Sequence, residues 1–291
     1  MSFYSRPFIV LSLALTMSLV HPSVVNADEL NPVPREPVIV YVVDGGYSEN
    51  AYFEAKEVID FTKDKRTSKK GLDCERSWGS YHGNKTASLI KKYSGEAEIE
   101  IISLKVLPCD SSYSNAYWNV YNALTYIGKN HQKGREAVVN LSITTGKYGQ
   151  LLEIPLRRLE KLNIPIVVSS GNYGGDACNH YTAKSKRTIT IGALDKNFTG
   201  VWGNSNTGKC VDFYAASYHT CIENGSKLVK CNGTSFSAPV VSAMLANYLY
   251  KYPNSKISDL KKYLASSSKS KSFKVSNRKQ ELKYFPTPKK R

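Results

Sequence analysis

Val38-Ile39-Val40-Tyr41-Val42-Val43-Asp44-Gly45-Gly46 decides the fold. Six consecutive apolar residues form the pattern of a strand buried on both faces, which is the habit of parallel sheets covered by helices. The run stops at an acid and two glycines, so Asp44 falls at a strand's carboxyl end. Further apolar runs at 99–107, 137–143, 164–168 and 188–193 alternate with helical patterns at 85–93, 115–129, 151–162, 237–250 and 258–265. That alternation predicts an α/β fold: a doubly wound, mostly parallel sheet with helices on both faces, which binds ligands at the strands' carboxyl ends.

Gly233-Thr234-Ser235-Phe236-Ser237-Ala238-Pro239 puts a serine at a helix start behind a glycine turn. Val241, Met244, Leu245, Tyr248 and Leu249 continue it as one buried helix face. A serine hydroxyl is a poor nucleophile at neutral pH and needs a base beside it and donors for the oxyanion that follows attack. A helix start offers free N–H groups and the positive end of the dipole, although an ordinary N-cap serine sits in the same place. Ser80-Tyr81-His82-Gly83-Asn84-Lys85-Thr86 reads as a capped helix start with a histidine in its first turn.

Asp44, His82 and Ser235, in that order and in those contexts, resemble the subtilisin-like serine proteases, whose triad runs Asp, His, Ser along the chain. The segment Ile164-Pro165-Ile166-Val167-Val168-Ser169-Ser170-Gly171-Asn172 is similar to that family's oxyanion-hole turn, and Val138-Val139-Asn140-Leu141-Ser142-Ile143 to its substrate-binding strand. The resemblance implies a subtilisin-like single domain over residues 38–265. It casts Asp44 as orienter of the imidazole, His82 as general base then acid, Ser235 as nucleophile and Asn172 as oxyanion donor. Ser142, Ile143, Thr144, Ser169, Ser170 and Gly171 would line the substrate site. The implied activity is endopeptidase cleavage of a protein or peptide through an acyl-enzyme.

Six cysteines alone leave the pairing open. The resemblance is strongest to the proteinase K-like branch, whose bridges imply Cys74 with Cys109 and Cys178 with Cys210; Cys221 and Cys231 remain as a local pair beside the nucleophile. Zinc competes poorly, because the histidines are scattered and no C-x₂-C pair occurs. Asp212 is placed like a metal-binding aspartate of that branch, so structural calcium is the one metal the resemblance suggests, and no cofactor is required for the chemistry. His131 reads as solvated, and His180 and His219 as surface or cleft-rim residues.

Residues 1–27 read as a secretory signal peptide: Arg6 precedes an apolar stretch over 8–20, and Val25-Asn26-Ala27 offers a small-residue cleavage site. The stretch is shorter than the ~20 residues of a spanning helix. The expected product is secreted or periplasmic, with residues 28–37 as a short leading segment. That segment is too short for the family's inhibitory propeptide, so a separate folding partner or inhibitor is the alternative to unaided folding. Residues 266–291 carry nine Lys or Arg against the lone acid Glu281, half of the chain's net charge of +16. They read as a basic, flexible tail suited to an anionic surface. With no recognisable nucleic-acid module, nucleic acid is not an expected partner.

Two departures from the family pattern modify the expectation. Thr144-Thr145 stands where two glycines are usual and predicts a narrowed primary pocket that takes small or slender side chains. Asn84-Lys85 stands where Thr-His is usual, and a lysine beside the imidazole is expected to depress its pKa. The alternatives to a peptidase are a catalytically weak binding or adhesion protein on the same fold and a serine esterase.

Overall fold

The computed structural model describes residues 35–62, 72–74, 81–109, 116–146, 149–275 and 278–286, and Met1. The expected signal peptide, Met1 aside, lies outside the described residues. The strands are β1 (Val38–Asp44), β2 (Ala55–Asp60), β3 (Ile99–Lys105), β4 (Ala137–Leu141), β5 (Ile166–Ser169), β6 (Thr188–Leu194), β7 (Phe213–Ala216), β8 (His219–Ile222), β9 (Leu228–Cys231), β10 (Lys269–Val275) and β11 (Arg278–Tyr284). The helices are α1 (His82–Tyr93), α2 (Ala116–Asn130), α3 (Glu153–Lys161), the single turn α4 (Tyr181–Lys184), α5 (Thr234–Lys251) and α6 (Ile257–Ser267).

Nine strands form one sheet in the order β10-β11-β7-β6-β5-β4-β1-β3-β2, while β8 and β9 make a separate antiparallel hairpin. From β2 to β7 every pairing is parallel. The apolar run of β1 divides by parity, as a two-residue side-chain period requires. Val38, Val40 and Val42 join the core under α1, α5 and α6. Ile39, Tyr41 and Val43 join the core under α2 and α3. β1 lies between β3 and β4, so the strand order reverses at its edge, and Asp44 ends it at that switch point. A crevice opens there in doubly wound sheets because the flanking connections leave in opposite directions.

The described part of residues 266–291 corrects the sequence reading of a flexible tail. The boundary at 266 falls inside α6, and β10 and β11 form an antiparallel hairpin that extends the main sheet. β11 joins β7 through Tyr284 opposite Tyr214, and Phe285 N donates to Tyr214 O at 2.9 Å. Phe273 is fully buried with Leu194 and Tyr214, and the Phe285 ring lies 5.1 Å from that of Phe213. Only Phe273, Val275, Leu282 and Tyr284 carry the two-residue period, and lysines mask it. Exposed Lys269 and Lys271 on the outermost strand serve another purpose: charge on an open edge discourages pairing with a further chain.

Candidate active site

Asp44 is fully buried at the end of β1, where Gly45 N donates to its Oδ1 at 2.6 Å and Thr86 Oγ1 to its Oδ2 at 3.3 Å. His82 Nδ1 stands 2.6 Å from the same Oδ1. A carboxylate can only accept, so Nδ1 carries the proton and Nε2 is left as the basic nitrogen. The helix that holds His82 can come this close because Gly83 has no side chain: a Cβ there would lie 2.1 Å from Gly46 O.

The start of α1 is not capped by its own neighbour. Tyr81 takes the left-handed conformation with φ 50° and makes no side-chain cap bond. The capping acceptor comes from another segment: Asp73 Oδ2 accepts from Asn84 N at 2.9 Å, and its Oδ1 accepts from Cys74 N at 3.0 Å. An anion there answers both the unpaired amides and the helix dipole. Burial pushes the Asp73 carboxyl up to about 7, with the Asn84 amide opposing and the Asp44 charge adding to the rise. Beside it the fully buried Lys105 donates from Nζ to Gly45 O at 2.6 Å.

For His82, burial alone would lower the pKa, but the Asp44 charge, the Asp44 hydrogen bond and the Asp73 charge outweigh it and the net change is upward. The expected depression by Lys85 is therefore corrected. Lys85 acts in that direction, but its effect is the weakest of those on His82, and its ammonium is paired with Glu223 at 2.9 Å.

Ser235 is the second residue of α5, which starts behind Gly233, whose φ of 129° is outside the range that other residues adopt comfortably. Its hydroxyl donates to Ser142 O at 3.1 Å. In return Ser142 Oγ donates to Ser235 O at 2.8 Å. The second bond has a cause in the sequence: Pro239, four residues on, has no N–H with which to satisfy the Ser235 carbonyl. Asn172 Oδ1 accepts from Thr234 N at 3.0 Å and from Thr234 Oγ1 at 2.7 Å, which orients the amide and assigns Nδ2 as its donor end.

These groups meet in one cleft of about 930 Å³ lined by His82, Ser235, Asn172, Ser142, Ile143, Thr144, Ser169 and Gly171, among others. Asp44 stands behind His82. Ser170 does not belong to this lining: it is fully buried and its hydroxyl donates to Asn206 O at 3.1 Å. Thr144, on which the expected narrowing rests, stands beside Gly171: a Cβ on Gly171 would lie 3.0 Å from the Thr144 methyl. Thr144 and Gly171 thus come close enough that a side chain at 171 would meet the Thr144 methyl.

The bridges Cys74–Cys109, Cys178–Cys210 and Cys221–Cys231 are present. The third ties β8 to β9 immediately before the turn that delivers Ser235. Asp212 Oδ2 accepts from Thr190 N at 2.7 Å, and burial raises its pKa. Among the described residues no three or more His, Cys, Asp or Glu side chains gather at a point suited to a metal. A lone carboxylate already bonded to an amide does not fit a calcium cage built from several carboxylates.

Among the described residues three further histidines lie away from the Asp44–His82 pair. His180 Nδ1 contacts Thr145 O at 3.0 Å and its ring stacks on Tyr173 at the cleft rim. His131 is not solvated as expected, since its ring nitrogens meet Tyr41 Oη and Arg135 O. His219 is buried on β8, where it bonds Tyr93 Oη and Ala216 O, and burial drives its pKa down to about 4. Asp73, Lys105 and Glu223 escaped the sequence reading. A lysine closing an otherwise apolar strand was the available signal for Lys105; the other two act through partners remote in the chain.

The fold and this constellation define a class, and the comparisons agree with it. The chain belongs to the subtilase family, whose model, described as "Subtilase family", matches residues 36–281. It is 29% identical over 231 residues to cerevisin of Saccharomyces cerevisiae, an alignment covering 75% of this chain and 35% of that protein. Over 230 residues it is 30% identical to subtilisin-like protease 2 of Trichophyton rubrum, covering 75% of this chain and 51% of the relative. The chain thus spans about half or less of the length of these curated relatives. The crystal structure of a cold adapted subtilisin-like serine proteinase superposes with a TM-score of 0.69, 22% identity, and coverage of 85% of this chain and 87% of that one. That likeness shows the shared fold.

Proposed function

We propose that the chain is a serine endopeptidase in which Asp44, His82 and Ser235 act as a triad and Asn172 Nδ2 with Ser235 N–H form the oxyanion hole. The observation that carries the reading is the 2.6 Å contact between His82 Nδ1 and a fully buried Asp44, with Nε2 left to face the cleft that Ser235 also lines. The mechanism requires the Ser235 hydroxyl to leave Ser142 O and turn about the Cα–Cβ bond toward the imidazole, a change between staggered rotamers. Ser235 Oγ then attacks the scissile carbonyl carbon as His82 Nε2 takes its proton, and the carbonyl π electrons pass to the oxygen held by Asn172. Collapse of that adduct breaks the C–N bond, and His82 returns the proton to the departing amine. Water repeats the sequence on the acyl-enzyme ester and restores Ser235.

The signal-like segment at 1–27 supports secretion, and no described helix is long and apolar enough to cross a membrane. The exposed lysines of the β10–β11 hairpin support adhesion to an anionic surface, presented on a folded edge. A second reading, a binding protein with a silent triad, is favoured by one observation: the Ser235 hydroxyl is committed to Ser142 O. Digestion of a mixed protein sample followed by mapping of the new termini separates the two. Cuts after small residues that vanish in Ser235→Ala support the peptidase; absence of new termini supports the binding protein.

A further inference from the structure

His82 donates its proton to the departing amine, so the half of the substrate that leaves must lie on the His82 side of Ser235. The acyl half lies along the segment of Ser142 and Thr144 that follows β4. The leaving-group side is built from α1 and the β8–β9 hairpin packed against it. Its charge is one-sided. Lys85, one turn beyond His82 on α1, and Lys230 on β9 both line the cleft. Among the described residues Glu223 brings a carboxylate to this corner, and it is shared between Lys85 at 2.9 Å and Lys227 at 2.5 Å. Lys230 is exposed, and its ammonium donates to the neutral Thr220 hydroxyl at 3.0 Å. Asp73 is the other acid at the cleft, and both of its oxygens are taken by backbone amides, Oδ2 by Asn84 N and Oδ1 by Cys74 N.

The hairpin also holds its cation in place. Cys221–Cys231 fastens the strand that bears Lys230, and Thr220 stands opposite it in register. An ammonium fixed at the cleft wall attracts a substrate carboxylate at lower ordering cost than one on a free loop.

Resting on the peptidase reading above, we infer that the enzyme prefers substrates with an acidic side chain within the first two residues after the scissile bond, and that Lys230 is the residue that selects it. Partial exposure keeps the effect modest, about 3- to 10-fold in kcat/KM, and makes it fall with added salt. The same geometry disfavours lysine or arginine at those positions.

The test uses the full chain and three peptides identical except for Asp, Ser or Lys after the cut, with alanine before it. Rates are normalised to the fraction of enzyme that a fluorophosphonate labels, so a poorly folded variant does not distort them. The expected result is Asp over Ser over Lys in kcat/KM, a ratio falling to near one in Lys230→Gln and reversing in Lys230→Glu. Equal rates for the three peptides, or an acidic preference untouched by both substitutions, overturns the inference. Normal labelling without cleavage of any peptide also overturns it. Failure of labelling overturns the peptidase reading itself, and the inference falls with it.

Discussion

Ser142 and Ser235 exchange hydrogen bonds: each side-chain hydroxyl donates to the other's backbone carbonyl, at 2.8 Å and 3.1 Å. One bond fills the vacancy that Pro239 leaves in the helix, and it locks the end of β4 to the start of α5. The other holds the proposed nucleophile at rest. Ser142→Ala removes the first bond and leaves a buried carbonyl without its donor, so stability should fall by about 1–3 kcal/mol. Urea unfolding of both forms checks it; an unchanged midpoint contradicts the role given to this pair.

Activity should rise with pH through the acid limb set by His82, because the base must be neutral to accept the Ser235 proton. Net stabilisation of the imidazolium by Asp44 and Asp73 places that limb above histidine's ordinary value of about 6.5. Asp73→Asn removes one of the charges that favour the protonated ring, so the limb in kcat/KM should move to lower pH. Movement upward, or none, means that Asp73 serves only to cap α1.

The closeness of the Thr144 methyl to Gly171 predicts selectivity before the scissile bond. Cleavage should favour alanine, serine or valine at that position, and Thr144→Gly should raise kcat/KM for a phenylalanine peptide about tenfold by restoring the space that the methyl fills. Efficient cleavage after Phe, Tyr or Trp by the unaltered enzyme contradicts the pinched pocket.

The carboxyl-terminal hairpin supplies a stability prediction. Phe273 is fully buried, so Phe273→Ala should cost about 3–5 kcal/mol, the usual range for an aromatic core truncation. Thermal unfolding measures it. A variant as stable as the parent returns residues 266–291 to the status of a flexible tail.

How far the molecule can be read from its residues follows from how local each signal is. The β1 run, the Ser235 helix and the Asn172 turn are written in contiguous residues with a single period, and the structure forms all three. The hairpin β10–β11 was missed because four apolar residues among six cations satisfy no obvious pattern until β7 offers an edge. Asp73 was missed for a related reason: it caps a helix whose own first residues lack a capping side chain, and sequence distance hides the pair. Lys85 was read as a bare charge beside an imidazole, yet Glu223, remote in the chain, partners it, and the carboxylates of Asp44 and Asp73 decide the outcome for His82. Ser170 stands next to a residue that lines the cleft, but its hydroxyl turns to Asn206 O, as alternation along a strand end dictates.

The central claim is that His82 activates Ser235 for attack. Labelling with a fluorophosphonate, located by peptide mass spectrometry, tests it most directly, since the reagent bonds covalently only to an activated hydroxyl. The account predicts modification at Ser235 in the parent chain and loss of modification in both Ser235→Ala and His82→Ala. Labelling that persists in His82→Ala at the parent's rate, or a parent chain that stays unmodified with its disulfides intact, would contradict it.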